Sequence, residues 1–175
     1  DTTAAAPLSV TADGSVPTLV LSTTATSPHS GAFSVTATFS EDVTGFDATD
    51  INIGNGAASE FAATSARVYT FTVTPASDGA VTVDVSGAAA QDGAGNDTTA
   101  AAPLSVTADG SVPTLVLSTT STSPHSGAFL VTATFSEDVT GFDIGDVSVG
   151  NGAASDFATT SARVYTFNVT PASDG

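Results

Sequence analysis

The chain has no cysteine, methionine, tryptophan or lysine, and Arg67 and Arg163 are its only arginines. Without cysteine there are no disulfides and no thiolate metal sites. Without lysine, an intramolecular Lys–Asn isopeptide staple is chemically impossible. Two basic side chains stand against 18 acidic ones, a formal charge of −16. Phosphate binding needs Lys and Arg, so the charge argues strongly against nucleic acid and anionic membrane as partners. The same charge favours solubility, mutual repulsion and divalent cations. No apolar run approaches a membrane span and no signal peptide is visible, so no membrane insertion is expected. With two tyrosines, the core falls to ten phenylalanines and a recurring valine pattern.

What the chain does have is a copy of itself. Residues 1–79 recur as residues 97–175, a period of 96 residues (97 less 1). Ten positions differ: Ala25/Ser121, Ser34/Leu130, Ala48/Ile144, Thr49/Gly145, Ile51/Val147, Asn52/Ser148, Ile53/Val149, Glu60/Asp156, Ala63/Thr159 and Thr72/Asn168. A repeat of this length is a domain that buries its own core, not a solenoid unit of a few tens of residues. An active site gains little from a near-identical second copy, whereas a spacer gains length from each one.

Alternation with a period of two dominates. Phe33–Ser40 is apolar on one face and hydroxylated on the other, and Tyr69–Thr74 and Val81–Val85 repeat the pattern. Shorter strands are predicted at Thr18–Ser22, Ile51–Ile53, Ala58–Ala62 and Leu104–Ala108. Between them stand turns such as Ser27–Gly31, Gly54-Asn55-Gly56, Pro75–Gly79 and Asp92–Asn96. The expected fold is all-β: tandem seven-stranded antiparallel immunoglobulin-like β-sandwiches of Greek-key topology on a 96-residue repeat. The predicted divisions are 1–12, the last strand of a preceding repeat; 13–108, a complete repeat with its N-terminal linker; and 109–175, a linker and a repeat lacking its last two strands. The chain opens and closes in mid-pattern. It therefore reads as a window on a longer array, its third segment completed by unseen sequence or by strands from another copy. The linkers Asp13-Gly14-Ser15 and Asp109-Gly110-Ser111 are short. Pro17 and Pro113 have a fixed φ and bias Val16 and Val112 towards an extended backbone.

Val16-Pro17-Thr18-Leu19, Phe39–Phe46, Tyr69–Pro75 and Asp92–Asn96 resemble the bacterial Ig-like repeats of large surface adhesins, of the biofilm-associated and RTX types. The resemblance covers the whole chain. It implies an extracellular, cell-surface stalk whose copies hold terminal binding domains away from the cell, and calcium at domain junctions. The RTX nonapeptide Gly-Gly-x-Gly-x-Asp does not occur in these residues.

The acidic residues have a topological argument of their own. If strands alternate in direction, the second-to-third, fourth-to-fifth and sixth-to-seventh loops share one end with the incoming linker. Those loops carry Glu41, Asp42 and Asp47, then Arg67, then Asp92, Asn96 and Asp97; the linker adds Asp13. The opposite end carries Asp78 and the Asn55 turn, facing the next linker at Asp109. Ca²⁺ accepts six to eight oxygens in flexible geometry. A Ca²⁺ site is therefore predicted from Asp13, Glu41, Asp42, Asp92 and Asn96, with Asp97 a further candidate ligand. Its copy would use Asp109, Glu137 and Asp138, aided by Asp78. The alternative is that these are solvated loop tips, since Asp and Asn favour turns for backbone reasons alone.

Nothing assembles a catalytic group. His29 and His125 are lone turn histidines with no triad around them. Adjacent Glu41 and Asp42 do not set a glycosidase separation, and there is no tryptophan for sugar stacking. The chain is read as a non-enzymatic extender whose partners are neighbouring repeats of the same chain and other copies of the protein. Two alternatives stay open: a receptor- or glycan-binding module, to which Ser34→Leu130 points, and a filament subunit assembled by strand exchange.

Overall fold

Val/Thr alternation converts directly into strands whose apolar faces must be covered. The computed structural model describes residues 3–173. The chain divides into two compact units, Asp1–Gly110 and Ser111–Gly175. In the first, the strands are β1 (Leu19–Ser22), β2 (Phe33–Phe39), β3 (Ile51–Gly54), β4 (Gly56–Ala63), β5 (Val68–Pro75), β6 (Gly79–Val85) and β7 (Leu104–Ala108). They form two antiparallel sheets, ordered β1-β2-β5-β4 and β3-β6-β7. This is the Greek-key sheet order of an immunoglobulin-type sandwich.

Every strand predicted from alternation coincides with one of these, with ends shifted by a few residues. A one-turn 3₁₀ helix, Ala48–Asp50, was not predicted. It is a local product of Asp47, whose side chain accepts from Thr49 N while Asp50 reaches back to Asp47 N. The bonds from the Thr49 hydroxyl and then the Thr49 N–H hold the Asp47 carboxyl below its usual range.

The core lies between the two sheets. Leu19, Val35, Phe71 and Val73 from one meet Val81, Val83, Val85 and Val106 from the other. Burying each such side chain is worth about 1.5–3 kcal/mol. At one end Phe39, Phe46, Phe61 and Tyr69 form an aromatic cluster with centroids 5.1–5.7 Å apart. Phe61 gets there through a bulge. Ser59 pairs with Thr72 but Ala62 pairs with Thr70, so Glu60 and Phe61 together oppose Phe71. Glu60 takes φ 54° and turns out, which swings Phe61 in. The β3–β4 connection needs Gly56, because a Cβ there would lie 2.7 Å from Thr74 O.

The second unit has β8 (Leu115–Ser118), β9 (Phe129–Phe135), β10 (Gly152–Thr159) and β11 (Val164–Pro171) in the order β10-β11-β9-β8. These are the counterparts of β1, β2, β4 and β5. Val147–Gly150 matches β3 but carries no strand. In the first unit β3 pairs with β6, and the 175 residues hold no second copy of residues 80–96. Leu115 and Leu117 are accordingly 42% and 58% exposed, against 6% and 9% for Leu19 and Leu21. Residues 3–12, the sequence match of 99–108, carry no strand and are exposed; residues 1 and 2 lie outside the described residues.

Candidate metal centre

The incoming linker reaches the sandwich at the end where the β2–β3 and β6–β7 loops meet. Thr99 N donates to Pro17 O, and Thr18 and Ser40 exchange two hydrogen bonds, which fixes the start of β1 beside the β2–β3 loop. That loop is in turn tied to the β6–β7 loop by a reciprocal pair: Thr44 N to Gln91 O at 2.8 Å and Gln91 N to Thr44 O at 3.0 Å. Sequence reasoning passed over Gln91, yet this bridge brings the two acidic loops together. A polar side chain in an alanine- and glycine-rich loop gives no periodic signal.

Asp92 is the anchor. It is 6% exposed. Its Oδ1 accepts from Ala94 N and Asn96 N at 2.8 Å, and its Oδ2 accepts from Asn96 Nδ2 at 2.7 Å. The Asn96 side chain first, then the backbone N–H groups, hold the Asp92 carboxyl below the usual carboxylate range. Gly95, at φ 89°, lets the turn close. Asn96 Nδ2 also donates to Asp13 O at 3.3 Å, joining the linker to the loop. Asp13 Oδ1 accepts from Ser15 N.

Three carboxylates converge here: one oxygen each from Asp13, Glu41 and Asp92 lies within 4.8 Å of the others. Asn96 sits beside them through its bonds to Asp92 and Asp13. The donors are hard oxygens, with no ring nitrogen among them, which suits Ca²⁺ rather than a transition metal.

The other predicted ligands are placed elsewhere. Asp42 accepts from Arg67 Nε at 2.6 Å, an exposed ion pair. Asp97 Oδ1 accepts from Gln91 Nε2 at 2.8 Å. Asp78 and Asp109 lie at the opposite end of the first unit, where Asp78 Oδ1 accepts from Gly110 N. Glu137 and Asp138 belong to the second unit, and Asp138 repeats the ion pair with Arg163 at 2.6 Å.

The first unit is thus an immunoglobulin-like β-sandwich with an oxygen-rich cluster where its linker enters. Residues 13–107 and 109–175 match the bacterial Ig-like domain family, and the chain belongs to it. Among solved structures, the adhesin InvE of Yersinia pseudotuberculosis is similar at 18% identity and a TM-score of 0.36, over 89% of this chain and 51% of that one. The chain thus spans about half the length of that structure. No curated protein matches it.

Proposed function

We propose that the chain is a non-enzymatic extender segment of a bacterial cell-surface or secreted adhesin, in which Ca²⁺ stiffens the junctions between tandem Ig-like domains. The observation that carries the spacer reading is the tandem copy itself, identical at 69 of 79 positions. Membership of the bacterial Ig-like family supports the same reading. Asp13 belongs to the linker, Glu41 and Asp92 to the body of the sandwich. A cation accepted by all three ties linker to domain, stabilising that arrangement by mass action. The chain would be exported, and its partners are the neighbouring repeats.

The test is the melting temperature of the 175-residue protein in excess Ca²⁺ and in excess chelator. A calcium-dependent rise supports ions at the entry linker. Equal melting in both would reduce the acidic end to solvated surface. A receptor-binding module is the second reading, favoured by Val116 and Leu130, which are exposed on the outer sheet face of the second unit. Saturable binding in a glycan or cell-binding screen would support it against a pure spacer.

A further inference from the structure

Both ends of the first unit bond their linkers to the body of the domain, but only the entry places a carboxylate cluster there among the described residues. At the entry, the Glu41 and Asp92 carboxylates crowd around that of Asp13. At the exit, hydrogen bonds from the body of the domain hold the chain at the end of β7 and just after it. Gly79 pairs with Ala108 across β6 and β7, so the register sets Asp78 opposite the departing chain. Asp78 Oδ1 accepts from Gly110 N at 2.7 Å. From the other side comes the Ser27–His29 turn that succeeds β1. Ser27 Oγ accepts from Thr107 N at 2.8 Å, His29 N donates to Thr107 O at 2.9 Å, and His29 O accepts from Asp109 N at 3.0 Å.

The turn that presents Asp78 is itself buttressed. Asn55, in the left-handed conformation at φ 57°, donates from Nδ2 to Ser77 O at 2.9 Å and accepts from Ser77 Oγ at 2.8 Å. The second unit repeats that buttress between Asn151 and Ser173, at 2.9 and 3.0 Å.

We infer that Asp78, with the backbone of His29, forms a metal-independent clamp on the exit linker. Asp78 is then a positioning residue for Gly110 and not a calcium ligand. Thr107, Asp109 and Gly110 are hydrogen-bonded to the body of the domain, and Ala108 pairs with Gly79, without any cation. Calcium sensitivity falls on the entry side of a domain, and the exit stays set in its absence. The mechanical value of this asymmetry rests on the stalk reading, but the clamp itself does not.

The experiment is amide hydrogen exchange on the 175-residue protein, read at Asp109 and Gly110 and at Asp13–Ser15, in excess Ca²⁺ and in excess EDTA. Gly110 should be protected equally in both. Asp78→Ala should speed its exchange about fivefold to tenfold in both, the scale of one lost hydrogen bond. Asp78→Asn, which keeps an Oδ1 acceptor, should restore most of the protection. A purely structural loss would speed exchange across β6 and β7 as well. The clamp is overturned if Gly110 exchanges freely in EDTA, if its protection appears only with Ca²⁺, or if Asp78→Ala leaves it unchanged. A missing calcium effect at Asp13–Ser15 would instead count against the proposed function and leave the clamp standing.

Discussion

Thr72 Oγ1 donates to Glu60 Oε2 at 2.7 Å, and in the second copy Asn168 Nδ2 donates to Asp156 Oδ2 at 2.9 Å. Both members of the pair differ between the copies. The longer acid meets the shorter donor and the shorter acid meets the longer one, so the reach across the bulge is kept. The acid occupies a left-handed backbone position in both, at φ 54° and 53°. This conformation disfavours residues with a Cβ, and the carboxylate bond helps to hold it. Glu60→Asp alone should lower the melting temperature of the first unit by about 2–4 °C, the scale of a fraction of a kcal/mol in a domain of this size. Adding Thr72→Asn should recover the loss. Additive losses in the double mutant would show that the two positions are uncoupled.

The sandwich was legible because Phe33–Phe39, Val68–Pro75 and Gly79–Val85 each keep strict alternation over a half-buried surface. The bulge was not. By simple alternation from Ala58, Glu60 faces inward and Phe61 outward, and only the pairing to β5 reverses them. Strand direction alone gathers Asp13, Glu41, Asp92 and Asn96 at one end, and the fold brings those four together. Direction could not say that Arg67 would take Asp42, or that Gln91 would take Asp97. Those partners depend on side-chain reach across loops, for which the sequence carries no period. Asp78 was placed at the correct end, but its hydrogen bond to Gly110 comes from the β6–β7 register.

The two units differ in how completely their apolar faces are covered, and calorimetry should separate them. Phe71 lies beneath the β3-β6-β7 sheet, whereas the second unit has a single sheet among the described residues. The first unit should melt in the higher of two transitions. Phe71→Ala should lower that transition by about 3–5 kcal/mol of stability and leave the lower one unmoved. Phe167→Ala should act only on the lower one, with the smaller cost expected where the surroundings are less tightly closed. A single cooperative transition moved by either mutation would mean that the units do not melt independently.

Acid should act on the first unit through Asp92. Its folded pKa lies below the unfolded value because Asn96 and neighbouring N–H groups hydrogen-bond the charged form. Such a group contributes stability that is present above the unfolded carboxylate pKa and is lost as pH falls through the depressed folded one. Asn96→Ala removes the first of those causes. Carboxyl-detected NMR should then show the Asp92 pKa moving up towards the ordinary value, and the acid-unfolding midpoint should move up in pH with it. An unchanged Asp92 titration would show that the backbone bonds from Ala94 and Asn96 suffice alone.

Calcium binding at the entry linker has a residue-level signature. Asp92→Asn keeps the side-chain volume and an acceptor but removes a charge from the cluster. Glu41→Gln does the same from the opposite loop. Each should abolish most of the difference between melting curves in Ca²⁺ and chelator. Glu41→Gln should leave the chelator curve nearly in place, whereas Asp92→Asn should lower it, because its amide N–H₂ would face the Asn96 Nδ2 donor. Removing the Glu41 charge also relieves repulsion among the three carboxylates, so for Glu41→Gln a small rise in chelator accompanies the loss in calcium. Asp42→Asn is the control. It breaks an ion pair whose partners are more than half exposed, and such pairs contribute little; its calcium-dependent shift should match that of the unmodified protein. If Asp42→Asn removes the calcium effect and Asp92→Asn does not, the ion sits at the Arg67 side of the loop and the Asp13–Glu41–Asp92 assignment is wrong.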